Sequence, residues 1–151
     1  MKLDIHNANE LSPVEQMSRA TRLWKTVADE ELSPLGLTHS RWTALWKLKR
    51  LGDNVSQKTL ADALEIELAS LMRTLNQLEE QGLVTRHCCE HDKRVRNVRL
   101  TAQGNVILEQ LEQRIFNVRR QILQGISEEE MQLMRSILER ISLNATAVLS
   151  E

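Results

Sequence analysis

The chain has 151 residues, 41% of them hydrophobic and 27% charged, with a formal net charge of −1. This is the composition of an ordinary soluble globular protein, sized for one domain or two small units sharing a core, and it excludes a histone-like polycation. The only two cysteines, Cys88 and Cys89, are adjacent and cannot staple distant segments, so reduced thiols in a cytoplasmic protein are the expectation.

The opening MKLDIHNANELSP has one lysine and no apolar run, which argues against a signal peptide. No segment reaches the 18 or so consecutive apolar residues that would span a bilayer. Ser12-Pro13 predicts an N-cap followed by proline in the first turn, where its missing N–H costs nothing. The helix it opens has Val14, Met17, Leu23, Trp24 and Val27 as apolar positions and stops before Pro34. Thr38 is expected to cap a second helix, with Trp42, Leu45, Trp46 and Leu48 inward, ending near Gly52. Ser56 caps a short third helix with Leu60, Ala61 and Leu64 inside. A turn, Leu64-Glu65-Ile66-Glu67, leads into a fourth helix that ends at Gly82, a residue suited to the left-handed conformation after a helix.

Residues 83–100 change period. Apolar and polar residues alternate through Val84, Arg86 and Cys88, and again from Val95 to Leu100, which is the period of a strand pair. Thr101 then caps a long fifth helix with Leu108, Leu111, Ile115, Val118 and Ile122 on its apolar side, broken at Gly125. Ser127 and Glu130 form a capping box for a last helix carrying Met131, Met134, Ile137, Leu138, Ile141 and Val148. The pattern therefore predicts a mainly α fold with one small β-hairpin. Residues 37–100 form a winged helix-turn-helix, and residues 1–36 and 101–151 are flanking helical dimerisation regions of one continuous compact fold. The outer apolar stripes exceed what a core of this size needs, and such stripes bury against a second copy.

On a helical wheel the fourth helix gathers Leu68, Leu71, Leu75 and Leu78 on one side, with Met72 at the margin. Ala69, Ser70, Arg73, Asn76, Gln77 and Glu80 lie opposite, and Thr74 sits on a flank. Small residues let a backbone enter the major groove, and arginine can grip guanine O6 and N7 together. Any amphipathic helix has a solvated face, but the short helix before this one and the hairpin after it complete a DNA-binding geometry. The hairpin concentrates Arg86, Lys93, Arg94, Arg96 and Arg99 against Glu90 and Asp92. Cations so placed follow a phosphate backbone, and Asp92 stands where it can orient Arg94. Two rival uses of the hairpin are a metal site from His87, Cys89 and His91 and oxidant sensing at Cys88 and Cys89. Neither has a fourth ligand or a distant partner thiol to complete it.

The run GLVTRHCCEHDKRVRNVRLTAQG resembles the wing signature of the MarR family of bacterial transcription regulators, at Gly82-Leu83-Val84-Thr85-Arg86, Asp92-Lys93-Arg94 and Leu100-Thr101-Ala102-Gln103-Gly104. The runs RATRLWK at 19–25, LSPLGLTHSRW at 32–42, SLMRTLNQLEEQGLVTRH at 70–87 and ILQGIS at 122–127 are similar to its SlyA/RovA-like branch. The resemblance covers residues 11 to 150. It implies a homodimer, triangular in outline, that reads palindromic double-stranded DNA and acts on the bacterial nucleoid as a repressor or activator. It implies recognition-helix contacts by Ser70 and Arg73 and minor-groove insertion by Arg94 with Asp92 as its orienting partner.

Pattern and resemblance together give a DNA-binding set of Ser56, Gln57, Ala69, Ser70, Arg73, Thr74, Asn76, Gln77, Arg86, Asp92, Lys93, Arg94 and Arg96. The resemblance also implies a small aromatic carboxylate as effector, beside Arg19, Arg22, Trp24, Thr38, Trp42 and Thr74. Members of the branch carry Gln-Pro before the recognition-helix serine, whereas this chain has Leu68-Ala69. Peroxide-sensing members place their cysteine in the first helix, where this chain has none. No glycine-rich phosphate loop, nucleophile elbow or paired-carboxylate site is present, so neither an enzyme nor a cofactor is expected. A helical scaffold whose basic hairpin docks an acidic protein is the alternative.

Overall fold

The computed structural model describes residues 11–151, so the expectation for the first ten residues lies outside the described part. The order of elements is α1 (Pro13–Leu32), a single 3₁₀ turn (Ser33–Leu35), α2 (His39–Arg50), β1 (Val55–Ser56), α3 (Gln57–Leu64), α4 (Leu68–Glu80), β2 (Val84–Cys88), β3 (Arg96–Leu100), α5 (Ala102–Ile122) and α6 (Glu128–Leu149). The chain divides into two units, Met1–Val118 and Arg119–Glu151. None of the described helices is long and apolar enough to cross a membrane.

Capping chemistry sets most of the helix starts. Ser12 accepts from the Glu15 amide at 3.2 Å while the Glu15 carboxylate accepts from the Ser12 amide, a capping box that adds a reciprocal bond to the expected serine cap. Ser56 accepts from the Thr59 amide at 3.0 Å. Thr38 holds the cap position of α2 with extended backbone, but its side chain makes no capping bond. In the second unit, Ser127 and Glu130 close the expected capping box of α6. Hydrogen bonding from Ser127, its backbone amide first and its side chain second, holds the Glu130 carboxyl below its ordinary range.

The core of the first unit is built from leucines. Leu32, Leu45, Leu48, Leu60, Leu71, Leu75, Leu78, Leu108 and Leu111 are fully buried, together with Val84 and Val98 of the sheet. Trp42, Trp46 and Leu64, expected inside, are only half-buried against this cluster, because each lies at the edge of its stripe. On α1 the buried residues are Ala28 and Leu32 rather than the expected stripe. Val14, Leu23 and Val27 are exposed, since only the C-terminal end of that helix reaches the core. None of the residues of α6 is buried.

The predicted hairpin is two strands of a three-stranded antiparallel sheet ordered β1-β3-β2. The two residues of β1 pair Val55 with Val98 and Ser56 with Asn97, so β3 is the middle strand. A strand this short leaves no periodic signal in the sequence. The chain connection from α4 into α5 is pinned by Thr101, whose hydroxyl donates to the Gly82 carbonyl at 2.6 Å and accepts from the Gly104 amide at 2.9 Å. Gly104 thereby packs against the backbone of Leu83, and a Cβ there would overlap the Leu83 carbonyl oxygen. Because the obstacle is backbone, Gly104→Ala should destabilise the protein by about 1–3 kcal/mol; a urea titration of the variant should show a lower midpoint with an unchanged slope.

Candidate nucleic-acid interface

Helix α4 packs on α2, α3 and β2. Leu71, Thr74, Leu75 and Leu78 are buried along that side, and the opposite side presents Ala69, Arg73 and Glu80, all exposed. Leu68, expected in the leucine stripe, is 43% exposed instead. It is the first residue of the helix, and the first turn extends past the core. Thr74, expected at the DNA and effector sites, is buried, and its hydroxyl donates to the Ser70 carbonyl at 3.4 Å. A β-branched hydroxyl residue can meet its hydrogen bonding within its own helix and so tolerate the interior.

Two arginines hold the flanks of α4. On the α2 side, Arg41 donates from Nε to Gln77 Oε1 at 3.1 Å and from Nη1 to Gln81 Oε1 at 3.4 Å. On the wing side, Arg86 donates from Nε to Glu79 Oε2 at 3.2 Å and from Nη2 to Asn76 Oδ1. Its side chain is only 10% exposed. The hydrogen bond from Arg86 holds the Glu79 carboxyl below its ordinary range, its charge adds to the effect, and the Arg96 charge contributes a little more. Arg86 therefore acts as a strut between β2 and α4 and is not free for DNA as the sequence reading had it. Asn76 and Gln77 have side-chain oxygens engaged by these struts.

The cause is strand alternation. Arg86 pairs with Val98 in register, and Val84 pairs with Leu100, so Arg86 shares the inward face of Val84, Val98 and Leu100. Burial of a guanidinium requires a carboxylate and further acceptors, and Glu79 and Asn76 supply them. The two-residue spacing from Val84 carries this signal in the sequence. Arg41 and Glu79 were not singled out there, because a long-range pair leaves no local pattern.

The wing tip spans residues 89–95 and is closed by the Cys89 amide donating to the Val95 carbonyl at 2.8 Å. Asp92 Oδ1 accepts from the Arg94 backbone amide at 3.0 Å and from Arg94 Nε at 3.2 Å. Those bonds, the backbone one first, lower the Asp92 pKa and keep it ionised. The Arg94 side chain nevertheless remains 91% exposed. Lys93 and Arg96 are exposed beside it, and Arg99 donates to Asn54 Oδ1 at 3.2 Å.

Other expected residues are placed differently. Gln57 is 8% exposed, with its Oε1 buried and unbonded, so it faces the interior rather than DNA. Ser56 is occupied in capping α3 and pairing with Asn97. Of the effector set, Trp42 Nε1 donates to Asp29 Oδ1 at 2.8 Å, and the same oxygen lies 2.9 Å from His39 Nδ1. Arg19, Arg22 and Thr38 are exposed, and Trp24 is half-exposed on α1. Two open clefts stand out, one of about 530 Å³ lined by Glu31, Gln113, Arg114 and Asn117 among others, and one of about 550 Å³ beside the wing, and neither is lined by the effector set.

The wing cleft does carry His87, Cys89 and His91. Yet no group of three or more metal-binding side chains converges among the described residues. Strand β2 ends at Cys88, so the alternation that would align those three is lost at the tip. Both cysteines are free thiols.

A short helix, a turn, a helix with an exposed arginine-bearing face and an adjoining basic β-wing define a winged helix-turn-helix DNA-binding protein of the transcription-regulator class. Residues 35–95 match the sequence profile described as MarR family. The transcriptional regulator PA3341 is 35% identical over 87% of this chain and 96% of its own, with a TM-score of 0.81. The chain belongs to the MarR family. Two more distant structures share the fold. A mutant of E. coli MarR complexed with operator DNA is 24% identical, over 83% of this chain and 90% of its own, at a TM-score of 0.77. CouR from Rhodococcus jostii RHA1, bound to p-coumaroyl-CoA, is 22% identical, over 85% and 90%, also at 0.77.

The strut makes a pH prediction with a fixed sign. Glu79 titrates below its ordinary range in the folded protein, so its stabilisation is present above that range and is lost as pH falls through the lowered value. The stability difference between wild type and Glu79→Gln, from urea unfolding, should therefore be larger at pH 6 than at pH 3. Because the carboxylate is partly exposed, the difference should shrink in high salt.

Proposed function

We propose that this chain is a homodimeric, sequence-specific transcription regulator of the SlyA/RovA-like kind, working on the bacterial nucleoid in the cytoplasm. Helix α4 enters the major groove, and Arg94 enters the adjacent minor groove. The observation that carries this reading is the exposure of two arginines: Arg73 on the open face of a clamped helix, and Arg94 on a wing tip pre-oriented by Asp92. Arg73 is positioned to grip a guanine edge, whereas Lys93 and Arg96 serve phosphates without reading sequence. The E. coli MarR complex with operator DNA supports DNA as the partner of this fold.

A second copy of the chain is the occupant we assign to the bare apolar surfaces of α1 and α6. Val14, Leu23 and Val27 on α1 and Leu133, Ile137, Leu138, Ile141 and Leu143 on α6 are all exposed in the single chain, more apolar surface than a monomer ordinarily leaves in water. Two-fold symmetry then calls for a palindromic operator with half-sites roughly 34–36 Å apart, one helical turn. Relief by a small aromatic acid belongs to the same reading; CouR, which shares the fold, is bound to p-coumaroyl-CoA, which supports a small-molecule partner. In this chain such a ligand must displace or build on the Asp29–Trp42 hydrogen bond.

In a fluorescence-anisotropy titration on the operator, Arg73→Ala should weaken binding by roughly 1–3 kcal/mol and relax base preference. Lys93→Ala should weaken all duplexes about equally and flatten the salt dependence by about one counterion. Unchanged operator affinity in Arg73→Ala would remove the recognition-helix assignment. A lack of salt-dependent affinity for random duplex would favour the scaffold reading instead. Light scattering should return twice the chain mass; a monomer at micromolar concentration would exclude the palindrome.

A further inference from the structure

Residues Leu68 and Met72 are exposed to 43% and 41% on a helix whose other large apolar side chains are all buried. They lie four residues apart, one turn above the other on a single stripe. That stripe falls on the flank of α4 that also carries Asn76 and Glu79, the residues bonded to Arg86 of the wing strand. The stripe therefore lies on the wing-side flank, in the N-terminal two turns of α4, next in sequence to Arg73 of the open face. A duplex that reaches both Arg73 and the wing passes along this flank.

Single exposed apolar side chains are normal on any protein. Here the position decides the meaning. Arg73 on the same helix and Lys93, Arg94 and Arg96 on the wing are exposed cations, set against exposed Glu65 and Glu67 at the helix entry; the occupant consistent with the proposed function is a nucleic acid. Two side chains one turn apart are also too small a stripe for a partner helix, which needs anchors over at least two turns. Within the major groove of DNA the one apolar feature of a base pair is the thymine C5-methyl; the same position over cytosine meets an N4 amine that must keep a hydrogen-bond partner. N-terminal recognition-helix residues are those that reach base edges, and Leu68 and Met72 occupy the first two turns of α4.

We infer that Leu68 and Met72 are specificity-determining residues that read thymine methyl groups beside the base contacted by Arg73. The inference rests on the DNA-reading function proposed above and adds the base it selects. Contact with a methyl also gives the Leu68-Ala69 pair a role: an apolar, small-residue entry to the groove in place of a polar one.

The test uses the full-length protein and a duplex that it selects from a random pool, with each half-site thymine replaced in turn by deoxyuridine, which lacks only the methyl. Wild type should lose roughly fourfold in affinity at each contacted position, the worth of burying one methyl-sized group. Leu68→Ala and Met72→Ala should each abolish the uracil penalty at its own position, while Arg73→Ala should retain it. A uracil penalty that persists unchanged in both alanine variants would overturn the assignment, because it would then reflect altered DNA shape. Selection of a duplex that binds equally well with uracil throughout sinks this inference alone. Failure to select any duplex sinks the DNA-reading function with it.

Discussion

The burial of Leu71, Leu75 and Leu78 along one line of α4 is the constraint from which the functional surface follows. Once these three are inside the leucine core, the rotation of the helix about its axis is set, and Ala69 and Arg73 have only the outside to face. Arg41 and Arg86 then restrain it from opposite flanks, one to α2 and one to β2. A base-reading side chain must be held to within fractions of an ångström of its partner, and a helix restrained by packing below and by guanidinium groups on either flank meets that requirement. The wing is held to the same standard, since the strand that carries Arg86 also carries the chain to the tip.

Charge is distributed to match. A chain with almost no net charge places the exposed cations Lys93, Arg94, Arg96 and Arg99 on the wing and Arg73 on the open face of α4. The second half of α4 carries Glu79 and Glu80. Glu79 is offset by Arg86 and Arg96, but Glu80 is exposed and has no ion-pair partner among the described residues, and it disfavours phosphate approach at that end. On the reading proposed above, nucleic acid meets the N-terminal two turns, which offer Arg73 and the small and apolar side chains.

Much of this was legible in the sequence because it is local. Serine and threonine caps, glycines after helix ends, and the switch from a helical to a strand period are written in adjacent residues, and the winged helix-turn-helix follows from their order. What escaped was decided at a distance. The strand β1 is two residues long and exists because β3 lies beside it. Leu68 belongs to the leucine stripe by angle but not by depth, since a wheel has no axis along which a core can end. Gln57 and Thr74 were read as polar and therefore outward, yet both are buried. Arg86 was read by its charge, although its two-residue offset from Val84 already placed it on the inner face. Angle and period are sequence properties; depth is a property of the assembled core.

Ser56 illustrates how tightly the DNA-binding lobe is wired. It is at once a residue of β1, paired with Asn97 of the wing, and the hydroxyl that starts α3. Three residues before it, Asp53 in left-handed backbone accepts the Leu100 amide at 2.9 Å, at the far end of the same wing strand. The connection from α2 to α3 is thus stitched to β3 at four successive residues, 53 to 56. Inserting or deleting even one residue between 53 and 56 would slip the stitch, turning the wing and the helix-turn-helix out of phase with each other. Loops ordinarily absorb the length changes of evolution; this one is gauged like a spacer, and drift in the family should fall in the wing tip instead.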